Sequence, residues 1–243
     1  MLQESDFGFD PYFRGEILDG PTDYFRLFPS DFDVFAKDSA EHARHFVPIA
    51  TVDLRRLNPD WDERVHFVIP CSEYRDEVSP FDTYLTRENW FGFRVIDSKY
   101  EFDTNFALFD GMKPEVDSTQ VAAEVQESRR FFEANGALVS FFSRPDDSEE
   151  APEKEPILWG LFGGSWDGNW SNGTTFPLSR YPDTYTDRRR TIQSERGLPR
   201  TPDGRDFIFI GDIETSLFAS VDGHALLFYD PVDKIALTTI DYS

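Results

Sequence analysis

The densest cluster of chemistry-bearing side chains in this 243-residue chain lies at residues 163–173, GGSWDGNWSNG. Trp166 and Trp170 supply flat rings of the kind that stack on a sugar. Asp167, Asn169 and Asn172 supply short polar groups that could fix its hydroxyls. The same oxygens suit a hard cation, but the D-x-[DN]-x-[DN]-G run with a distal Glu that makes a calcium loop is missing. Gly, Asn, Ser and Asp together are also ordinary turn chemistry, so the plainer reading is a tight turn between strands with two buried tryptophans. Gly163-Gly164 matches neither GxxxxGK[ST] nor GxGxxG, and neither motif occurs elsewhere in the chain.

Other constellations carry less. His42 and His45, with Glu41 beside them, share a helical face, but a metal site needs a further ligand, and the plain reading is two surface histidines on a short helix. There is no GxSxG elbow. Cys71, the single cysteine, ends an apolar strand and reads as a small buried hydrophobe. His224, next to a predicted turn, is expected to be exposed. The 46 acids offer carboxylate pairs everywhere and therefore discriminate none. No catalytic residue, cofactor or metal site is predicted.

Charge is the strongest global signal. Acids outnumber bases 46 to 24, a net charge of −22. Such a field repels phosphate backbones and anionic lipid, so neither a direct nucleic-acid partner nor a membrane is expected. It attracts basic proteins, and it also serves plain solubility. The 19 Arg against 5 Lys fit a salt-adapted proteome or a GC-rich genome equally. One cysteine allows no intrachain disulfide, and no signal peptide or membrane span is evident, so a cytoplasmic protein is expected.

The elements that must position these groups read as α+β: a mainly antiparallel sheet with a C-terminal β-meander and one long packed helix over 117–135, all in a single domain, 1–243. Residues 1–40 interleave Phe with nine acids and three bases. They are expected to form an irregular arm pinned to the core by its rings, the alternative being an exposed arm that grips a basic partner. Strands are predicted over 47–54, 64–71, 90–96, 102–109, 137–143 and 157–162, with short helices at 39–46 and 79–89. Asp117 with Gln120 suggests a capping box, and Gly136 a left-handed stop. In the meander, strands at 207–210, 217–221, 224–229 and 234–242 are separated by Asp222-Gly223, a two-residue hairpin signal, and by the turn at 230–233. Residues 145–155, PDDSEEAPEKE, read as an acidic hairpin tip joining 137–142 to 157–162. Residues 163–204 read as a long irregular region holding the only basic concentration, Arg188-Arg189-Arg190. That run is expected to pair internally with the acidic tip or the N-terminal arm.

A chain without catalytic motifs, acidic and rich in rings, is expected to be a protein-binding protein that neutralises a basic partner such as a cationic toxin or nuclease domain, as a bacterial immunity protein does. Its partner-binding residues are expected to be Asp146, Asp147, Glu149, Glu150 and Glu153 on the acidic loop, Trp166, Asp167 and Trp170, and Arg188, Arg189 and Arg190. Two other readings stand beside this: a carbohydrate-active or carbohydrate-binding protein using 163–173, and an acidic structural or salt-adapted protein.

Overall fold

The computed structural model describes residues 14–71, 79–109, 117–144, 155–166, 168–187 and 190–242. Twelve strands are described: β1 (Arg14–Leu18), β2 (Phe25–Leu27), β3 (Phe46–Asp53), β4 (Arg64–Pro70), β5 (Trp90–Ile96), β6 (Lys99–Phe102), β7 (Leu158–Gly164), β8 (Leu178–Asp187), β9 (Arg190–Pro199), β10 (Ile208–Glu214), β11 (His224–Asp230) and β12 (Ile235–Asp241). The helices are α1 (Asp31–Val34), α2 (Ser39–His42) and α3 (Ser118–Asn135). Seven strands form one antiparallel sheet in the order β1-β7-β10-β11-β12-β5-β6; β2-β3-β4 form a second sheet, and β8-β9 a separate hairpin. The architecture is thus mostly antiparallel β with few helices. Among the described residues no helix is long and apolar enough to cross a membrane.

The large sheet is buried on both faces, as β11 records residue by residue. Ala225, Leu227 and Tyr229 join a core that also holds Phe46, Val52 and Phe67 of the small sheet and Val121 and Val125 of α3. Leu226 and Phe228 point the other way, into a second cluster with Trp90, Trp170 and Phe209. Period-two alternation with apolar residues on both sides makes a strand read as a continuous hydrophobic run.

Helix α3 starts where its cap predicts. Asp117 accepts a bond from the Thr119 amide at 2.9 Å, and Gly136 ends the helix at φ 69°, where a side chain would be strained. Gln120 bonds Glu124 instead of returning to the cap, so the reciprocal half of the box is absent there. The complete box belongs to Ser30 and Asp33 on α1. Asp117→Ala is expected to cost about 1 kcal/mol of stability in urea unfolding, because one orphan amide loses its acceptor; an unchanged midpoint would mean that the cap contributes nothing.

The meander stands as β10-β11-β12, but its first connection is not a two-residue hairpin. Residues 215–217 form a 3-10 turn, and Leu217, Phe218 and Ala219 are buried as a tucked loop, not paired as a strand. Thr215 closes that loop by donating to the carbonyls of Val221 and Gly223. The second turn forms as expected, with Asp230 accepting from the Val232 and Asp233 amides.

Five further expectations are corrected. Residues 137–143 make no strand, because both edges of β7 are occupied, by β1 and β10, and only Ala137, Leu138 and Val139 among them are buried. The strand that takes that edge, β1, lies inside the supposedly irregular N-terminal arm. Residues 102–109 end a strand at Phe102 and continue as a 3-10 turn over Phe106–Phe109, and 79–89 form turns in place of a helix. The region 163–204 is irregular only in its loop after β7 and its last turn: β8 and β9 pair without a break from Leu178↔Pro199 to Asp187↔Arg190. This ribbon stands outside both sheets. Among its described side chains, Leu178 and Leu198 at its base pack on the second cluster.

Candidate functional site

The loop after β7 folds over the second face of the large sheet. Trp170 is 4% exposed, with its ring against Trp90 (centroids 5.8 Å apart) and Phe228 (5.5 Å). It is therefore core, as the turn reading required. Trp166 is half-buried and reaches the end of β12, its indole N–H donating to Asp241 Oδ2 at 3.3 Å. The Asn169 carbonyl accepts from the Tyr242 amide at 3.0 Å. These bonds stitch the loop to the last strand. Asp167 lies outside the described residues.

Beneath Trp166 sits a polar group that the sequence did not disclose. Asp212 of β10 is fully buried, and His224 Nδ1 donates to its Oδ1 at 3.2 Å. Asp212 Oδ2 has no hydrogen-bond partner among the described residues. Burial pushes the Asp212 carboxyl up to about 6, against the lowering pull of His224. Burial pulls the His224 imidazole down, but the bond to Asp212 and the charges of Asp212, Glu214 and Asp241 leave it above its ordinary value. His224 is thus not simply exposed, as its turn position suggested: its side chain is 27% accessible, and the Trp166 ring meets it edge-on at 6.4 Å. One signal was available. In β10, Asp212 sits in a run, Ile208–Glu214, that is otherwise apolar up to its final Glu, and a buried carboxylate needs a partner.

The other predicted candidates resolve into structure. His42 is 2% exposed, not a surface residue; Phe102 N donates to its Nε2 at 3.1 Å, and its Nδ1 lies 3.2 Å from the Asp38 carbonyl. Burial lowers its pKa, which agrees with a neutral ring. His45 stacks on Phe109 at 4.0 Å. Cys71 is buried, which pushes its thiol up to about 12 and makes it a poor nucleophile. Among the described residues no group of three or more His, Cys, Asp or Glu could hold a metal ion.

The acidic loop residues Asp146, Asp147, Glu149, Glu150 and Glu153 lie outside the described residues, as do Arg188 and Arg189. Arg190 opens β9. The neighbouring arginines pair with local acids: Arg180 with Glu195, and Arg205 with Asp203, Asp230 and Asp233. Arg55, Arg56 and Lys234 are likewise held by Asp53, Glu16 and Glu63. Even with every base paired one to one, an excess of 22 carboxylates has no cation of its own.

The described part of the N-terminal region divides between pinning and exposure. Phe25 and Phe35 are core, at 0% and 2% exposure, whereas Phe32 is 75% exposed between the exposed Asp31 and Asp33. Its backbone is fixed. The Ser30 box caps the turn, Lys99 Nζ donates to the Phe32 carbonyl at 2.6 Å, and the Ala36 amide donates to the Tyr100 carbonyl at 2.9 Å. Lys99 also stands 4.1 Å from the ring centroid, and its strand partner Ile96 is 41% exposed beside the exposed Asp97. The result is an apolar knob on a capped turn, flanked by Asp31, Asp33 and Asp97 and with the Lys99 ammonium against its ring. No family model, curated protein or solved structure matches the chain.

Proposed function

We propose that this is a cytoplasmic protein-binding protein that neutralises a basic partner, of the kind that inhibits a cationic toxin or nuclease domain. The observation that carries the reading is Phe32, held 75% exposed on a capped turn between two exposed carboxylates. An aromatic anchor on fixed backbone loses little entropy on docking, and surrounding acids steer a positive surface onto it. The excess of 22 carboxylates supplies the long-range field. The acidic loop with Asp146, Asp147, Glu149, Glu150 and Glu153 extends that field, and Trp166, Asp167 and the Arg188–Arg190 run remain proposed as further contacts. Trp170, being core, would act only by holding its loop.

The test is retention of basic proteins from a bacterial lysate on the immobilised chain at about 50 mM and 500 mM salt, bracketing the range over which screening grows strong. A basic protein is expected at low salt and is expected to be lost at high salt. Phe32→Ala is expected to weaken its binding about thirtyfold, the ~2 kcal/mol of an interfacial hot spot. Asp31→Lys with Asp33→Lys should lower the association rate and its salt dependence. Retention of nothing basic at low salt, or equal retention by Phe32→Ala, would remove the reading.

A further inference from the structure

A cavity of about 330 Å³ opens where loop 169–174 meets the ends of β5 and β12. Its floor is the cross-strand pair Trp90 and Thr239. Thr239 is 1% exposed. The Trp170 ring forms a wall, and its indole N–H is buried without a partner among the described residues. The Trp90 N–H, by contrast, is already given to Thr174 Oγ1 at 3.1 Å. Side-chain amides and hydroxyls that line a concavity without being engaged by the protein are available to the polar groups of a ligand.

The walls specify the ligand's chemistry. Asn89 spends one N–H on the Ile240 carbonyl at 3.3 Å and keeps its own carbonyl available. Asn169 spends its carbonyl on the Tyr242 amide and keeps its N–H groups. The Asn172 backbone N–H goes to the Gly168 carbonyl at 3.2 Å, whereas its side-chain carboxamide makes no bond to a described residue. Tyr242, 47% exposed, stands at the rim. Among the described residues no Lys or Arg lines the cavity, and the one carboxylate there, Glu88, is engaged by the Thr174 hydroxyl at 2.8 Å and the Thr175 amide at 2.9 Å. An anion would meet no cation and a strongly negative protein; an apolar ligand would strand the amides and hydroxyls. At about 330 Å³ the cavity lies at the small end of ligand pockets, large enough for one sugar ring.

We infer that this cavity binds a single neutral pyranose unit: hydroxyls to Asn89, Asn169, Asn172 and Thr239, and an apolar face toward the aromatic wall. The inference moves carbohydrate recognition away from stacking on the loop tryptophans and onto the pocket behind them. It is independent of partner docking at Phe32.

The full chain would be titrated with the methyl glycosides of glucose, galactose, mannose and N-acetylglucosamine. Glucosamine and glucuronate serve as cationic and anionic comparators. Tryptophan fluorescence and the indole N–H signals in NMR are the readouts. A saturable response to at least one neutral glycoside is expected, with the Trp170 indole signal moving more than that of Trp90. Thr239→Val and Asn172→Ala should each weaken it about fivefold, the loss of one net hydrogen bond. Asn172 is exposed, so its variant keeps the test valid should the Thr239 variant fold poorly. No saturable response to any neutral glycoside overturns the inference, as does tighter binding of either charged comparator. So does wild-type affinity in Asn172→Ala together with Tyr242→Ala.

Discussion

Phe46→Ala is expected to destabilise the protein by about 3–5 kcal/mol, the range for truncating a fully buried Phe. Phe46 opens β3 of the small sheet and is 0% exposed. Its ring meets Phe91 (5.4 Å) and Phe93 (4.9 Å) on β5, Phe102 (5.2 Å) on β6 and Phe109 (5.7 Å) in the 3-10 turn. Most of these pairs are edge-on or tilted, the arrangement ring quadrupoles favour. One side chain therefore joins the two sheets. Truncation leaves a cavity whose walls come from several elements, which cannot collapse together into it. Domains of this kind have about 5–15 kcal/mol in total, so the variant should sit near its unfolding threshold. Urea unfolding would show a lower midpoint with an unchanged slope. Phe32→Ala, at the exposed knob, should stay within about 0.5 kcal/mol of wild type. A loss below about 1 kcal/mol for Phe46→Ala would mean that the ring cluster does not join the sheets.

Asp212→Asn should abolish most of a pH dependence that the wild-type protein shows. Asp212 is raised to about 6 by burial, and His224 is raised by its bond to that carboxylate. Both groups hold a proton more tightly folded than unfolded. Folding therefore takes protons up, and stability falls as pH rises from about 4, through 6, and past the ordinary imidazole value near 6.5. Asparagine keeps an acceptor for the His224 N–H but cannot ionise. Between pH 4 and 7 the variant should gain on wild type by on the order of 2–3 kcal/mol, a carboxyl raised by about two units at 1.36 kcal/mol each. The measurement is urea unfolding at a series of pH values, with His224 titrated by NMR. Parallel stability curves for the two proteins would show that Asp212 does not ionise within the fold.

Much of the fold was legible in local pattern. β3, β4, β5, β7 and α3 appear within a residue or two of where alternation, caps and the Gly136 stop put them. The misses share one cause. Residues 137–143 have strand composition but no edge to pair with, and 217–221 are apolar because a loop is tucked inward. The β8-β9 ribbon is a hairpin outside both sheets, and its prolines and turn-type residues read as loop, so local pattern does not mark it. Of the candidate sites, Trp170 read correctly as a buried turn residue, while His42 and His224 were misplaced because burial depends on which distant element arrives above them.

By itself, the sequence determined the charge, the aromatic core stock, the antiparallel class, and the turns and caps, because these are set by neighbours along the chain. Tertiary structure alone decided that Phe32 stays outside while Phe25 and Phe35 go in. It also decided that Asp212 meets His224, and that Thr239 and Trp170 line one cavity with three asparagines. Those juxtapositions join residues far apart in sequence. The Asp212–His224 pair depends on the register that the tucked loop sets between β10 and β11, and the cavity on the pairing of β12 with the distant β5, a register that no local propensity encodes.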